Sequence, residues 1–278
     1  MSSAAHETLS RTLAFQRYSS AMKARRTPLK DAALRQAGQP LREERERLFE
    51  DRFLPWGLAS AATVGFAIYE WGRYLLQTPP QPWLMTVLAT VTIGATVWRF
   101  FVLRPEMRRL RLAIEGETAV GQYLERLHAH GYQVFHDVMG NGFNIDHVLI
   151  GPAGIFTIET KTWNKPRGDS RVVFDGEQIQ VAGLDLNRAP VVQAQSQANW
   201  LRTTIRDSTG REFEVRPVVV FPGWFVQAPP AALRKMWVLE PKALPSFLAN
   251  EPNRLNETDR KLVRFHLSRI VRTNSAKP

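Results

Sequence analysis

The sequence predicts an α/β fold in which a mixed sheet is flanked by helices, with a pair of apolar helices ahead of it. Two observations carry this. After about residue 111, short β-branched segments alternate with amphipathic helical ones, punctuated by Gly and Pro turns. Before that point stand two uncharged apolar runs joined by QTPPQPW. The chain has 278 residues, 44% of them hydrophobic, and no cysteine. That length supports a full core. The missing thiols exclude disulfides, Cys-bound zinc, iron–sulfur clusters and thiol catalysis. No HExxH spacing and no GxxxxGK[ST] phosphate loop occurs.

The net charge of +11 is unevenly placed. Residues 1–111 hold 17 Lys+Arg and 9 Asp+Glu, a net of +8; residues 112–278 hold 20 and 17, a net of +3. The basic excess therefore describes the N-terminal region more than the α/β part.

Phe53–Tyr69 is free of charge, and the second run, dense from Trp83 to Trp98, continues past Arg99 as FFVL. About 21 residues at about 1.5 Å each span a hydrocarbon core of about 30 Å. Trp56, Trp71, Trp83 and Trp98 stand near the run ends, as interfacial anchors do. Eleven Lys+Arg precede the runs, Arg104, Arg108, Arg109 and Arg111 follow them, and only Arg73 lies between. The positive-inside rule then predicts a two-pass hairpin over 53–104 in the inner membrane, with both termini cytoplasmic. A pair of buried core helices is the alternative. The leader, 1–52, mixes both signs of charge, as in LREERERLFEDR, and reads as a solvated helix.

Residues 105–278 form the expected α/β domain. IEGETAVGQYLERLHAHG is amphipathic, with Val120, Leu124 and Leu127 at helical spacing and Gly131 as the stop. YQVFHDV, IDHVLI and IFTIETK read as strands, the last two joined by a GPAG turn. VVFDGEQIQV pairs around Asp-Gly. PVVQAQSQANWLRTTI is a helix with Pro190 in its first turn. RPVVVFPG is a buried strand. MWVLEPKALPSFL gives a strand then a helix, and ETDRKLVRFHLSRIV a final helix.

The hairpin carries the chemistry. Pairing Ile150 with Ile155 across the turn sets Asp146 opposite Glu159, and Lys161 leaves the same face two residues on. Opposed carboxylates repel unless a positive group lies between them, which a divalent cation and Lys161 would supply. Oxygen donors suit Mg²⁺ or Mn²⁺. Such a site hydrolyses phosphodiesters. A structural acid–lysine pair at the sheet edge is the alternative that register leaves open.

The run IDHVLIGPAGIFTIETK resembles the nuclease-related domain family (NERD), a branch of the PD-(D/E)XK restriction-endonuclease-like superfamily. Gly116-Glu117 and the PVVQ of Pro190–Gln193 fall where that family has its helix glutamate and its glutamine. The resemblance covers roughly residues 112–240. It implies a restriction-endonuclease-like sheet, a divalent metal and action on nucleic acid, DNA ahead of RNA. By position, Asp146 and Glu159 would be metal ligands and Lys161 the catalytic lysine, with Glu117 and Gln193 assisting. The superfamily's proline before the first acid is Ile145 here. Glu117 can also be read as a first-turn acid favoured by the helix dipole. His147 is expected on the opposite face, packed or bridging. Trp163, Lys165, Arg167 and Arg171 follow on a loop that could grip phosphate and stack on bases, or simply be solvated.

The resulting expectation is a membrane-anchored, metal-dependent nuclease with the bilayer and nucleic acid as partners. The competing reading is a catalytically inactive nucleic-acid-binding or membrane scaffold protein that retains the fold.

Overall fold

The computed structural model describes residues 36–77, 82–140, 142–163, 171–181, 184–185 and 189–275. Most of the leader thus lies outside the described residues. Its end forms helix α1 (Gln39–Leu48), which passes through a π-helical turn (Phe49–Phe53) into α2 (Leu54–Leu75). Helix α3 (Pro82–Glu125) is 44 residues long. It carries the second apolar run and the helical segment expected to begin near residue 114 as one continuous rod. Pro105 forfeits one backbone bond inside it. Packing along both halves, by α2 on one and by the sheet on the other, holds the rod together. Glu117 therefore sits deep in a long helix and not in a first turn, which removes the dipole explanation for it.

Helices α2 and α3 meet along a hydroxyl seam. Ser60 donates to the Thr92 carbonyl at 3.1 Å, Thr96 to the Trp56 carbonyl at 3.1 Å, and the Thr63 and Thr92 hydroxyls lie 2.7 Å apart. The large apolar side chains Leu58, Phe66, Ile68, Val87, Val91 and Phe101 face outward. Among the described residues, only α3 is long and apolar enough to cross a membrane, and just 11% of its most apolar stretch is buried. Helix α2, which carries Glu70 and Arg73 in its last turns, does not reach that mark. A two-helix transmembrane hairpin is thus only partly matched, by one qualifying helix.

After Gly131, whose φ of 80° ends the helical segment, the α/β part begins. Strands β1 (Gln133–Met139), β2 (Asn144–Gly151) and β3 (Gly154–Thr160) form an antiparallel meander. Strands β4 (Arg171–Phe174), β5 (Ile179–Val181) and β6 (Leu184–Asp185) follow, with the Asp175 side chain accepting from the Glu177 and Gln178 amides in the β4–β5 turn. Helix α4 (Ala189–Thr209) leads to β7 (Val215–Val220), β8 (Phe225–Gln227) and β9 (Trp237–Leu239). Helices α5 (Leu244–Ala249) and α6 (Glu257–Ser275) complete the chain. The main sheet is mixed, in the order β1-β2-β3-β7-β9, with β3, β7 and β9 parallel. A smaller sheet has the order β6-β5-β4-β8.

Helices cover both faces of the main sheet. On one, Val120 and Leu124 of α3, with Leu127 in the 3-10 turn (Arg126–His130) that follows it, pack on Leu149, Phe156 and Ile158. On the other, Ala198, Leu201 and Ile205 of α4 and Val263 and Leu267 of α6 pack on Val148 and Ile155. Alternation slips at one place. Phe135 and Val138, three apart, share the α4–α6 core, as do Ile145 and Val148 on the paired strand. Asp137, at φ 51°, and Asp146 lie between them. The period-2 pattern of both strands thus shifts at these two acids.

Candidate active site

The expected hairpin register is present. Ile150 pairs with Ile155, and the ladder runs to His147 opposite Ile158. One step further the strands open. The half-buried Asp146 turns its Oδ2 to accept from the Thr160 amide at 2.7 Å. Glu159, buried, projects toward α4. Lys161 lies just beyond β3, anchored by its own amide on the Val220 carbonyl at 2.9 Å. Its ammonium donates to Glu159 Oε1 at 2.7 Å and to Gln193 Oε1 at 3.0 Å. Gln193 Nε2 returns a bond to the same Glu159 oxygen at 2.8 Å. Acid, amine and amide thus form a closed triangle on the solvent side of the sheet end.

A residue with no assigned role completes it. Gln197 Nε2 donates to Glu159 Oε2 at 2.6 Å and to the Asn144 carbonyl at 2.8 Å. Gln193 and Gln197 are i and i+4 on α4, so they share a helix face, while Gln195 points away. That spacing was the available signal.

Glu117 arrives from α3. Its Oε1 accepts from the Gly38 amide at 2.6 Å. Burial first, then the charges of Asp137 and Glu159, push its carboxyl from the ordinary 4.5 up to about 7, against the Gly38 bond and Arg42. Asp146 is likewise raised well above its ordinary range, by burial, then by Glu159 and Glu117. These carboxylates feel one another electrostatically. Gly116 explains the close approach of α3, since a Cβ there would stand 1.9 Å from Thr162 Oγ1.

His147 is fully buried on the other side of β2. Its Nδ1 lies 2.9 Å from His136 Nδ1, and His136 Nε2 lies 2.8 Å from Glu125 Oε1. The two rings thus share one Nδ1–Nδ1 hydrogen bond, and His136 links His147 to Glu125. His147 Nε2 is buried and has no hydrogen-bond partner among the described residues. Burial, then His136, hold the His147 pKa well below the usual imidazole range. Trp163 packs against Phe221 at a tilt, with centroids 5.1 Å apart, so this ring is engaged in packing and is not a free platform for bases. Arg171 opens β4 with its side chain exposed. Lys165 and Arg167 lie outside the described residues.

Among the described residues, no three His, Asp or Glu side chains converge as a ready-made metal cage. The donor chemistry nevertheless fits a hard divalent cation. Crowded carboxylates raise one another's pKa, which a cation reverses. Beside them Gln197 Oε1, Thr160 Oγ1 and Thr162 Oγ1 are buried oxygens with no hydrogen-bond partner among the described residues.

Residues 113–222 match the family model described as the nuclease-related domain, NERD. This segment is a nuclease-related domain of the PD-(D/E)XK-like superfamily. The match begins within α3 and ends just after β7, so the nuclease-related domain contains the whole acid–lysine–glutamine constellation. No curated protein and no solved structure matches the chain.

Proposed function

We propose that the protein is a membrane-anchored, divalent-metal-dependent nuclease that hydrolyses phosphodiester bonds of nucleic acid, DNA ahead of RNA, on the cytoplasmic side of the inner membrane. The observation that carries this reading is the Lys161 ammonium held between Glu159 and Gln193 beside Asp146, within a nuclease-related domain.

In this reading Asp146 and Glu159 hold Mg²⁺ or Mn²⁺, with Glu117 close behind. Such a cation, when bound, polarises a phosphate oxygen and lowers the pKa of a bound water. Lys161 brings positive charge to the attacking water or to the phosphate oxygen on which charge develops. Gln193 orients that ammonium, and Gln197 fixes the second oxygen of Glu159. Arg171, with Lys165 and Arg167, contacts the phosphate backbone.

The apolar stretch of α3, its outward-facing side chains and its basic flank support the anchor. Helix α2 is read as the second crossing, bound to α3 by the hydroxyl seam, which suits an apolar solvent.

The test is cleavage of single- and double-stranded DNA and RNA by the purified full chain, with Mg²⁺, with Mn²⁺ and with chelator. Cleavage should need a divalent cation, and Lys161→Ala and Asp146→Asn should each abolish it while cooperative melting persists. Metal-dependent cleavage surviving both substitutions overturns the site. Binding of nucleic acid without turnover in any metal returns the protein to the class of inactive binding modules.

A further inference from the structure

We propose that the junction between the apolar helices and their basic flank binds one anionic glycerophospholipid, its acyl chain in an apolar pocket and its phosphate in an adjoining arginine groove. The pocket, about 230 Å³, lies where the π-helical turn after α1 crosses α3, and Leu48, Phe49, Phe53, Phe100 and Leu103 line it. The aromatic rings support one another: Phe49 and Phe53 lie 5.2 Å apart by centroid, Phe53 and Phe100 6.1 Å. Arg104 and Met107 close the pocket on one side and also line the neighbouring groove, of about 400 Å³, together with Arg45, Arg108 and Arg111.

The two cavities therefore share a wall at the turn of α3 where its apolar stretch ends. Arg104 and Arg108 are i and i+4, on one helix face, and Arg45 reaches the groove from α1. Arg111 has a carboxylate partner in Glu115, and the nearby Glu106 is taken by Arg52. Among the described residues, Arg45, Arg104 and Arg108 have no carboxylate partner. A small soluble anion would match the arginines and leave the aromatic pocket unused. A neutral lipid would fill the pocket and leave the arginines unmatched. An anionic phospholipid at the edge of the bilayer satisfies both, because its phosphate sits at headgroup depth above its own acyl chain. Bound there, it bridges α1 to α3.

The proposal rests on the membrane reading above, and the experiment separates the two. The full chain is first floated with vesicles of phosphatidylcholine alone; failure to float overturns the membrane reading itself. The detergent-solubilised full chain is then titrated with phosphatidylglycerol or phosphatidylcholine and bound lipid is counted by native mass spectrometry. One phosphatidylglycerol should be retained in preference to phosphatidylcholine and should raise the melting temperature. The double variant R104A/R108A should weaken that retention by at least about tenfold, since each arginine near a membrane surface attracts anionic lipid. Leu48→Trp, which fills the pocket and leaves every arginine in place, should weaken it too. Equal retention of both lipids by a chain that floats, or retention indifferent to both variants, overturns the lipid site. Complete displacement by inorganic phosphate overturns it as well, in favour of a soluble anion.

Discussion

The backbone amide of Gly38 donates to Glu117 Oε1 at 2.6 Å, across 79 residues of sequence. The end of the leader is thereby fastened to the candidate site. Arg42, one turn further on, adds a bond to Thr118 at 3.2 Å. Gly38 has φ 73°, and a Cβ there would stand 3.2 Å from Thr118 Oγ1. Gly38→Ala should destabilise the chain by about 1–2 kcal/mol, the cost of a left-handed non-glycine residue, measured by denaturant unfolding. It should also lower nuclease activity, because straining this turn shifts the residue-38 amide away from Glu117 Oε1.

The raised Glu117 pKa gives a stability profile with a definite sign. The folded chain keeps this proton between the ordinary 4.5 and about 7, where the unfolded chain has lost it. The stability it contributes is complete below about pH 4.5 and is lost as pH rises through about 7. That window amounts to roughly 3 kcal/mol at about 1.4 kcal/mol per pH unit. Asp146 is shifted in the same direction. Chelator-treated protein should therefore lose stability from pH 5 to pH 7.5, and Glu117→Gln should flatten the slope. A slope unchanged in Glu117→Gln would show that this carboxyl is not the group responsible.

The two glutamines of α4 should separate function from stability. Gln193 is exposed and serves the Lys161 ammonium, so Gln193→Ala should cut turnover with little change in unfolding free energy. Gln197 is buried and satisfies Glu159 Oε2. Gln197→Ala leaves that oxygen short of a donor and should cost about 1–3 kcal/mol. Paired melts and single-turnover cleavage on both variants make the comparison.

Gly116→Ala tests the contact between α3 and the segment carrying Lys161. Alanine is the better helix former by about 1 kcal/mol, yet its methyl would collide with Thr162. Net destabilisation of about 1–3 kcal/mol is expected from the overlap, with loss of cleavage as Lys161 is displaced. Adding Thr162→Ala should restore part of both. Additive effects in the double variant would show that the two positions do not communicate.

Strand and turn chemistry made much of this protein legible in its sequence. The GPAG turn fixed the β2–β3 register, because a period of two allows only one pairing with Ile150 facing Ile155. That register brought Glu159 and Lys161 to one face, since they are two apart in an extended chain. The Pro190 start and Gly131 stop were readable because proline fixes a helical φ in a first turn, while glycine alone adopts at no steric cost the positive φ that ends a helix. What the linear pattern determined is therefore local: periodicity, turn type and facing neighbours. The tertiary structure alone decided the rest. It ran the apolar and amphipathic segments together as α3, overriding Pro105 because both halves have packing partners. It placed Gly38 on Glu117, a contact set by how α1 lies on α3, with no trace in residue spacing. It also shifted the alternation at Asp137 and Asp146, since backbone twist at a positive φ responds to the packing on both faces.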